Sequence, residues 1–172
     1  MWNTLRQIQH VGLVTEPAPQ PEEGLRVREA LAETIRTVLG RALCIRAVDA
    51  GSCNGCELEI QALNNPLYNL EGLGIRFVAS PRHADLLLVT GPVARNMESA
   101  LRRTWAATPD PKLVVALGDC GCTGGIFGES YASAGRVANV IPVNVAVPGC
   151  PPSPQRILTG ILTAISAARA QP

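Results

Sequence analysis

The chain has 172 residues, of which 47% are apolar and only 3% aromatic, so it is long enough for one domain with an aliphatic core. Its 15 basic and 14 acidic residues give a formal charge of +1 without a long run of one sign, which argues against a nucleic-acid-binding protein. The longest apolar stretches are far shorter than the roughly 20 residues that a membrane-spanning helix needs.

The sequence predicts that the chain begins with an extended arm followed by a helix. Residues 1–24 carry Pro17, Pro19 and Pro21 in a polar setting, which predicts an extended docking arm and leaves 25–172 as a single domain. Apolar residues recur at helical spacing over 22–39, and Gly40 follows as a stop signal, which predicts the first helix.

No secretory or twin-arginine leader opens the sequence, so we expect a protein that stays in the cytoplasm. Six cysteines in such a compartment are unsuited to a disulfide framework, because the cytoplasm is reducing and the apolar content already provides a core. The cysteines therefore point to metal or redox chemistry.

Near-continuous apolar runs predict five buried strands with helices between them. Such runs, rather than alternating ones, are typical of parallel strands that helices cover on both faces. The order predicts an α/β fold with a doubly wound parallel sheet of four to five strands. The predicted strands are 43–48, 75–79, 86–90, 113–117 and 143–147, and the predicted helices after the first are 56–63, 94–107 and 154–169.

Four cysteines follow these strands directly. Cys53 and Cys56 come after the first strand, Cys120 after the fourth and Cys150 after the fifth. Because the carboxyl ends of parallel strands share one edge of the sheet, we expect the three segments to converge there. Four thiolates at one edge could hold a 4Fe-4S cluster or a structural zinc ion, since both accept sulfur ligands.

The spacing favours the cluster, which would make the chain an electron-transfer subunit. Structural zinc sites usually take two Cys-x-x-Cys pairs, whereas here two single cysteines lie 64 and 94 residues after Cys56. Zinc remains an alternative, as does a thioredoxin-like dithiol formed by the Cys-x-x-Cys pair alone. Ser153 and Pro154 predict the start of the last helix close to this edge.

The remaining candidates carry weaker signals. Cys122 lies two residues after Cys120 and is the alternative to it as the third ligand, although we favour Cys120. Cys44 lies within a strand and is expected to be a core side chain. Glu57 and Glu59 are expected to lie in a solvated first helical turn, and Glu59 is also a candidate proton relay.

Four segments of the sequence resemble the small subunit of membrane-bound, energy-converting nickel-iron hydrogenases of the formate hydrogenlyase type. The same segments are similar to the 20 kDa cluster-bearing subunit of respiratory complex I. The resemblance covers roughly residues 22–165, in order and at compatible spacing. The segments are DAGSCNGCELEI at 49–60, SPRHADLLLVTG at 80–91, GDCGCTGG at 118–125 and VPGCPP at 147–152.

This resemblance implies a flavodoxin-like domain in which Cys53, Cys56, Cys120 and Cys150 bind one 4Fe-4S cluster. It implies an electron-transfer subunit of an oxidoreductase that relays electrons between a nickel-iron large subunit, which holds the catalytic site, and ferredoxin-like iron-sulfur subunits. Two adjacent cysteines stand in the complex I relative where this chain has Cys53-x-x-Cys56, which favours a hydrogenase over a quinone reductase.

The resemblance also implies a peripheral position on the cytoplasmic side of the inner membrane. Membrane-arm subunits would be contacted indirectly or through the amino-terminal arm. Arg82 and His83 are predicted to lie near the carboxyl edge of the sheet, against the partner or the cluster, or else in a surface turn. Two other functions stay open, which are a complex I-like quinone-reductase subunit and a zinc-stabilised binding scaffold.

Overall fold

Five strands and five helices alternate along the described part of the chain. The computed structural model describes residues 21–169 together with positions 2, 6, 9 and 10. Three short 3-10 turns, at Glu71–Leu73, Pro81–His83 and Val137–Asn139, lie in the connections. In chain order the elements are α1 Pro21–Leu39, β1 Leu43–Asp49, α2 Gly55–Ala62, β2 Ile75–Phe77, β3 Leu86–Thr90, α3 Arg95–Ala107, β4 Leu113–Leu117, α4 Gly118–Thr123, β5 Val145–Val147 and α5 Pro154–Arg169.

All strand pairs are parallel, and the sheet order is β2-β1-β3-β4-β5. Side chains of β3 alternate between two cores, since Leu86 and Leu88 join one and Leu87 and Val89 the other. Helices α1, α2 and α5 supply the first core and α3 supplies the second, so both faces of the central strands are covered. The predicted single flavodoxin-like α/β domain is confirmed.

The edge strand β5 is shorter than predicted because the chain joins the sheet only at its third predicted residue. Pro142 has no amide hydrogen to donate to a ladder, so it disfavours an earlier start. The Asn144 amide donates to the Val114 carbonyl at 2.9 Å, while the Asn144 side-chain Oδ1 accepts a 2.8 Å hydrogen bond from the Val114 amide in place of a backbone carbonyl. The opposite edge strand, β2, ends at Phe77, two residues before the predicted end.

The segment after β4 is a second correction. The sequence predicts a loop there, but Gly118–Thr123 forms a short helix, α4, that ends at Gly124 in the left-handed region. Cys120 and Cys122 therefore lie within a helical turn, where residues two apart point in different directions. This separation bears directly on which of the two can meet the other cysteines.

The predicted arm lies mostly outside the described residues. Its last four residues, 21–24, belong to α1, which begins at Pro21, the first helical position that proline favours. Trp2, Arg6, Gln9 and His10 have helical backbone and exposed side chains. No described helix has both the length and the apolar character needed to cross a membrane.

Candidate metal centre

Three segments bring four cysteines to the carboxyl edge of the sheet. Cys53 lies in the turn after β1 and Cys56 in the first turn of α2, while Cys120 lies in α4 after β4. Cys150 follows β5. Cys53 and Cys150 are exposed and the other two half-buried. The predicted convergence of the three segments is therefore observed.

The turn after β1 is held by one carboxylate and by the neighbouring strand. Asp49 Oδ1 accepts hydrogen bonds of 2.8 Å from the amides of both Gly51 and Ser52. The Ala50 amide donates to the Thr90 carbonyl at 3.1 Å, which ties the turn to the end of β3. Cys53 is thus presented from a turn with a defined backbone.

Asp119 ties the segment of Cys120 to that of Cys150. Its amide donates to the Gly149 carbonyl at 2.9 Å, and its Oδ1 accepts from the Gly149 amide at 2.8 Å. Because Asp119 precedes Cys120 and Gly149 precedes Cys150, these two hydrogen bonds fix the distance between the two cysteine segments. Asp119 is a positioning residue that the sequence analysis did not identify. Its position next to Cys120 is the sequence feature that could have indicated this role.

Two glycines leave room for the sulfur atoms. A Cβ on Gly118 would lie 2.6 Å from Cys56 Sγ, and a Cβ on Gly125 would lie 2.7 Å from Cys120 Sγ. Real Cβ atoms do not approach sulfur so closely, and both residues also have positive φ, at +80° and +57°. Glycine is therefore required at both positions for the cysteines to stand where they do.

Neighbouring cysteines contribute to raised pKa values at Cys56 and Cys120. Burial raises the pKa of the Cys56 thiol to about 12, and negative charge on Glu57 and then on Cys53, Cys120 and Cys150 adds to the effect. Burial likewise raises the pKa of Cys120, with Cys150 and Cys53 as the next causes. Several thiolates this close are unfavourable without a cation, and positively charged iron or zinc among them would reverse the effect. The donor set thus fits a metal centre.

Cys122 faces elsewhere. Its thiol donates to the Ala116 carbonyl of β4 at 3.6 Å. Burial raises the pKa of Cys122 to about 11, with Asp119 as the second cause, and no other cysteine contributes. This environment favours Cys120 as the residue that joins the other three. Cys44 is 5% exposed within β1, as predicted for a core side chain.

The four cysteines are donors of the type that both a zinc ion and a 4Fe-4S cluster accept. Within residues 21–169 and the isolated described positions, no group of three or more His, Cys, Asp or Glu side chains is arranged to hold a metal ion. The case for a metal centre therefore depends on the chemistry of the donors and on the convergence of their segments.

The prediction for Glu57 is wrong. Both of its carboxylate oxygens are shielded from solvent and lack a hydrogen-bond partner among the described residues, whereas the sequence predicts a solvated side chain. The reason is that α2 turns this side chain inward, while its neighbour Leu58 is exposed. Glu59 is partly exposed, and its relay role stays a prediction.

Arg82 and His83 lie in an exposed surface turn, as one of the two alternatives predicted, but the predicted position near the carboxyl edge is wrong. They line a pocket with Leu43 and Leu113, the first residues of β1 and β4, and with Asp85, which precedes β3. Amino ends of parallel strands lie at the edge opposite to the carboxyl ends. The two residues are therefore remote from the cysteines, because the connection from β2 to β3 has crossed the sheet by that point.

Comparisons with known proteins identify the family of the chain. Residues 53–164 match the family model described as NADH ubiquinone oxidoreductase, 20 Kd subunit. Formate hydrogenlyase subunit 7 of Escherichia coli is 42% identical, over 86% of this chain and 60% of the relative, so this chain spans only about three fifths of that protein's length. A probable membrane-bound hydrogenase subunit of Pyrococcus furiosus is 43% identical over 83% of this chain and 85% of its own.

Two further similarities widen the range of complexes. An NADH-quinone oxidoreductase subunit of Desulfovibrio desulfuricans is 42% identical over 72% of this chain and 66% of that protein. A chain in the structure of an archaeal membrane-bound sulfane sulfur reductase, described as a respiratory membrane complex, has 33% identity. It superposes with a TM-score of 0.67 over 83% of this chain and 77% of its own. These relatives are subunits of oxidoreductase complexes.

The family model covers the segments that carry all four converging cysteines, and the hydrogenase relatives align over most of the chain. The predicted resemblance is confirmed, and the chain belongs to the family of the NADH ubiquinone oxidoreductase 20 Kd subunit.

Proposed function

We propose that this chain is the electron-transfer small subunit of a membrane-associated nickel-iron hydrogenase, with one 4Fe-4S cluster held by Cys53, Cys56, Cys120 and Cys150. The observation that carries the proposal is the meeting of these four thiols at one edge of the sheet, where the other three all raise the pKa of Cys56. When bound, such a cluster takes up and releases single electrons. The catalytic nickel-iron site would lie in a partner chain.

The protein's own contribution is position and environment. The turn after β1, helix α4 and the loop after β5 fix the sulfurs through the bonds of Asp49 and Asp119. Hydrogen bonds from surrounding amide groups tune the potential of a bound cluster. The chain would thus set the route and potential of an electron without itself transforming a substrate.

Hydrogenase is favoured over quinone reductase by the Cys53-x-x-Cys56 spacing and by the hydrogenase relatives. A quinone-reductase subunit remains the second candidate function, because the relative from Desulfovibrio desulfuricans is as similar in identity. A zinc-stabilised scaffold is disfavoured by the sequence spacing of the cysteines, because structural zinc sites usually take two Cys-x-x-Cys pairs. The membrane complexes of the relatives support a peripheral subunit, for which we propose the cytoplasmic side of the membrane.

A rigid apolar loop beside Cys120 provides the docking surface for the large subunit. Ile126 is 94% exposed and Tyr131 98% exposed, and Phe127 between them is also exposed. The loop is held by backbone pairing of Glu129 with Ala134 and by a 2.6 Å hydrogen bond from Asn139 to Glu129. Large apolar side chains held outward in this way mark a protein interface. A ferredoxin-like subunit would receive the electrons on another side.

We expect nickel to co-purify with the tagged full-length chain, and the double variant Ile126→Ser/Phe127→Ser to lose most of that nickel while keeping its own iron. The loss follows because polar side chains weaken an apolar interface without touching the thiols. Elemental analysis of the purified complexes makes the measurement. Leu67→Ser is the control, since Leu67 is 70% exposed but follows α2 toward the opposite edge of the sheet.

The same experiment separates the candidate functions. Iron without nickel in the wild-type complex would contradict the hydrogenase assignment and favour the quinone-reductase subunit. Nickel retained in the double variant but lost in Leu67→Ser would place the large subunit on a different surface.

A further inference from the structure

A large cavity lies at the edge of the sheet opposite to the cysteines. It has a volume of about 790 Å³ and is bordered by the amino ends of β1, β3 and β4. Cavities of this size are typical of sites for small organic ligands. The cavity is separate from the proposed cluster site, so its ligand chemistry does not depend on the proposed function.

The two sides of the cavity differ in chemistry. The ends of α1 and α5 contribute an aliphatic side, formed by Val38, Leu39 and Ile165. Strand β2 and the connection that follows it contribute a cationic side, which carries Arg76 and Arg82. An apolar wall facing a cationic wall matches a ligand with an aliphatic chain and an anionic head.

The acidic residues of the cavity are already neutralised. Asp85 accepts hydrogen bonds of 2.9 and 2.6 Å from Arg41, and it also accepts from the Cys44 amide at 2.9 Å. Asp110 lies 3.4 Å from Lys112 Nζ. These pairs leave no free carboxylate among the lining side chains to repel an anion.

The two arginines of the cationic side remain available. Arg76 lies opposite Cys44 in the register of β1 and β2. Neither Arg76 nor Arg82 forms an ion pair with a carboxylate within residues 21–169. Both are exposed, so they can reach a ligand head without a buried charge being stranded. Guanidinium groups bind phosphate oxygens in a fork-like geometry, which favours a phosphate head.

We propose that this cavity binds an amphiphile that carries a phosphate ester head and an aliphatic chain, with the head on Arg76 and Arg82 and the chain against the ends of α1 and α5. A membrane phospholipid and a free alkyl phosphate share this chemistry. A membrane phospholipid bound here would attach the protein to the bilayer through the edge of the sheet that is remote from the metal centre.

Isothermal titration of the full-length protein, purified with its metal centre, tests the proposal with dodecyl phosphate below its micelle concentration. We expect one site per chain. Inorganic phosphate, which has the anionic head without a chain, and dodecyl maltoside, which has the same chain on an uncharged sugar head, should each bind at least about tenfold more weakly, because each lacks one of the two matched interactions.

The double variant Arg76→Gln/Arg82→Gln should bind dodecyl phosphate at least about tenfold more weakly than the wild type. Arg103→Gln is the matched control, since Arg103 is an exposed arginine of α3 outside the cavity, and it should bind as the wild type does. Unchanged binding by the double variant, or equally tight binding of inorganic phosphate alone, would overturn the proposal, as would a wild type that does not bind.

Vesicle sedimentation distinguishes the two sources of the ligand. Sedimentation with phosphatidylglycerol vesicles but not with phosphatidylcholine vesicles, lost in the double variant, would identify a membrane phospholipid. Binding of dodecyl phosphate without sedimentation would identify a free alkyl phosphate. Equal sedimentation of the wild type and the double variant, with equal titrations, would contradict a role for the two arginines.

Discussion

Replacing Cys150 by alanine is expected to remove nearly all of the iron bound to the chain, from about four atoms in the wild type to close to none. Cys150 is the only cysteine that the segment after β5 contributes, and its exposed thiol leaves no buried packing to lose on truncation. Iron and acid-labile sulfide in the anaerobically purified protein provide the measurement, and electron transfer from hydrogen in the complex should fall with them.

Cys44→Ala is the control for this experiment. Cys44 is buried in β1 and packs on the sheet, so we expect its loss to cost stability but to leave the iron content unchanged. Equal loss of iron from the two variants would contradict the assigned ligands. Cys120→Ala and Cys122→Ala form a second pair of variants, and only Cys120→Ala should lose iron. The Cys122 thiol instead donates a hydrogen bond to the Ala116 carbonyl.

Gly125→Ala is expected to lower the iron content several-fold, whereas Gly128→Ala should keep it at the wild-type value. The two glycines lie in the same loop and have nearly equal φ, at +57° and +53°. Alanine at either position carries a similar left-handed backbone cost of about 1–2 kcal/mol. Only at position 125 would the new Cβ meet a sulfur, Cys120 Sγ, at 2.7 Å, since nothing lies within 4 Å at position 128.

Thermal unfolding and iron content are measured on the same variants. Unfolding reports the cost of backbone strain, whereas iron content reports displacement of the Cys120 sulfur. Both apoproteins should lose the stability that the left-handed backbone costs, Gly125→Ala somewhat more because its Cβ would also lie 3.2 Å from the Cys120 Cα, and only Gly125→Ala should lose the metal. Similar iron contents in the two variants would mean that the Cys120 sulfur does not need the space beside Gly125, and the placement of that ligand would be wrong.

The central part of the fold could be predicted from the sequence because its strands are buried on both faces. Residues 86–89 and 113–117 are uninterrupted apolar runs, and the strands predicted at 86–90 and 113–117 agree with the structure at each end. The helix that starts at Pro154 was equally clear, since proline favours the first helical position. Edge strands were less well predicted, because Pro142 and Asn144 interrupt the regular ladder of β5.

The convergence of Cys53, Cys56, Cys120 and Cys150 could be predicted because it depends only on the order and direction of the strands. The environment of single side chains could not. Whether Glu57 is solvated depends on how α2 is rotated over the sheet, and periodicity does not determine the rotation of a helix of eight residues. The choice between Cys120 and Cys122 likewise depended on the short helix α4, which the glycine-rich sequence concealed.

The predicted position of Arg82 and His83 failed for a different reason. The connection from β2 to β3 must pass from the carboxyl edge to the amino edge, and the sequence alone does not say where along residues 78–85 the crossing occurs. A short 3-10 turn at Pro81–His83 lies late in that connection and brings both residues to the amino edge. The prediction placed both residues before this crossing, near the carboxyl edge of the sheet.

Mössbauer spectroscopy of the anaerobically purified chain, enriched in iron-57, tests most directly whether the four thiols hold a cluster. We predict about four iron atoms per chain, and a spectrum of equivalent mixed-valence iron pairs, as in an oxidised 4Fe-4S cluster. Reduction by one electron should then give a paramagnetic species. Stoichiometric zinc, or a single iron atom in a tetrahedral sulfur site, would contradict the assignment.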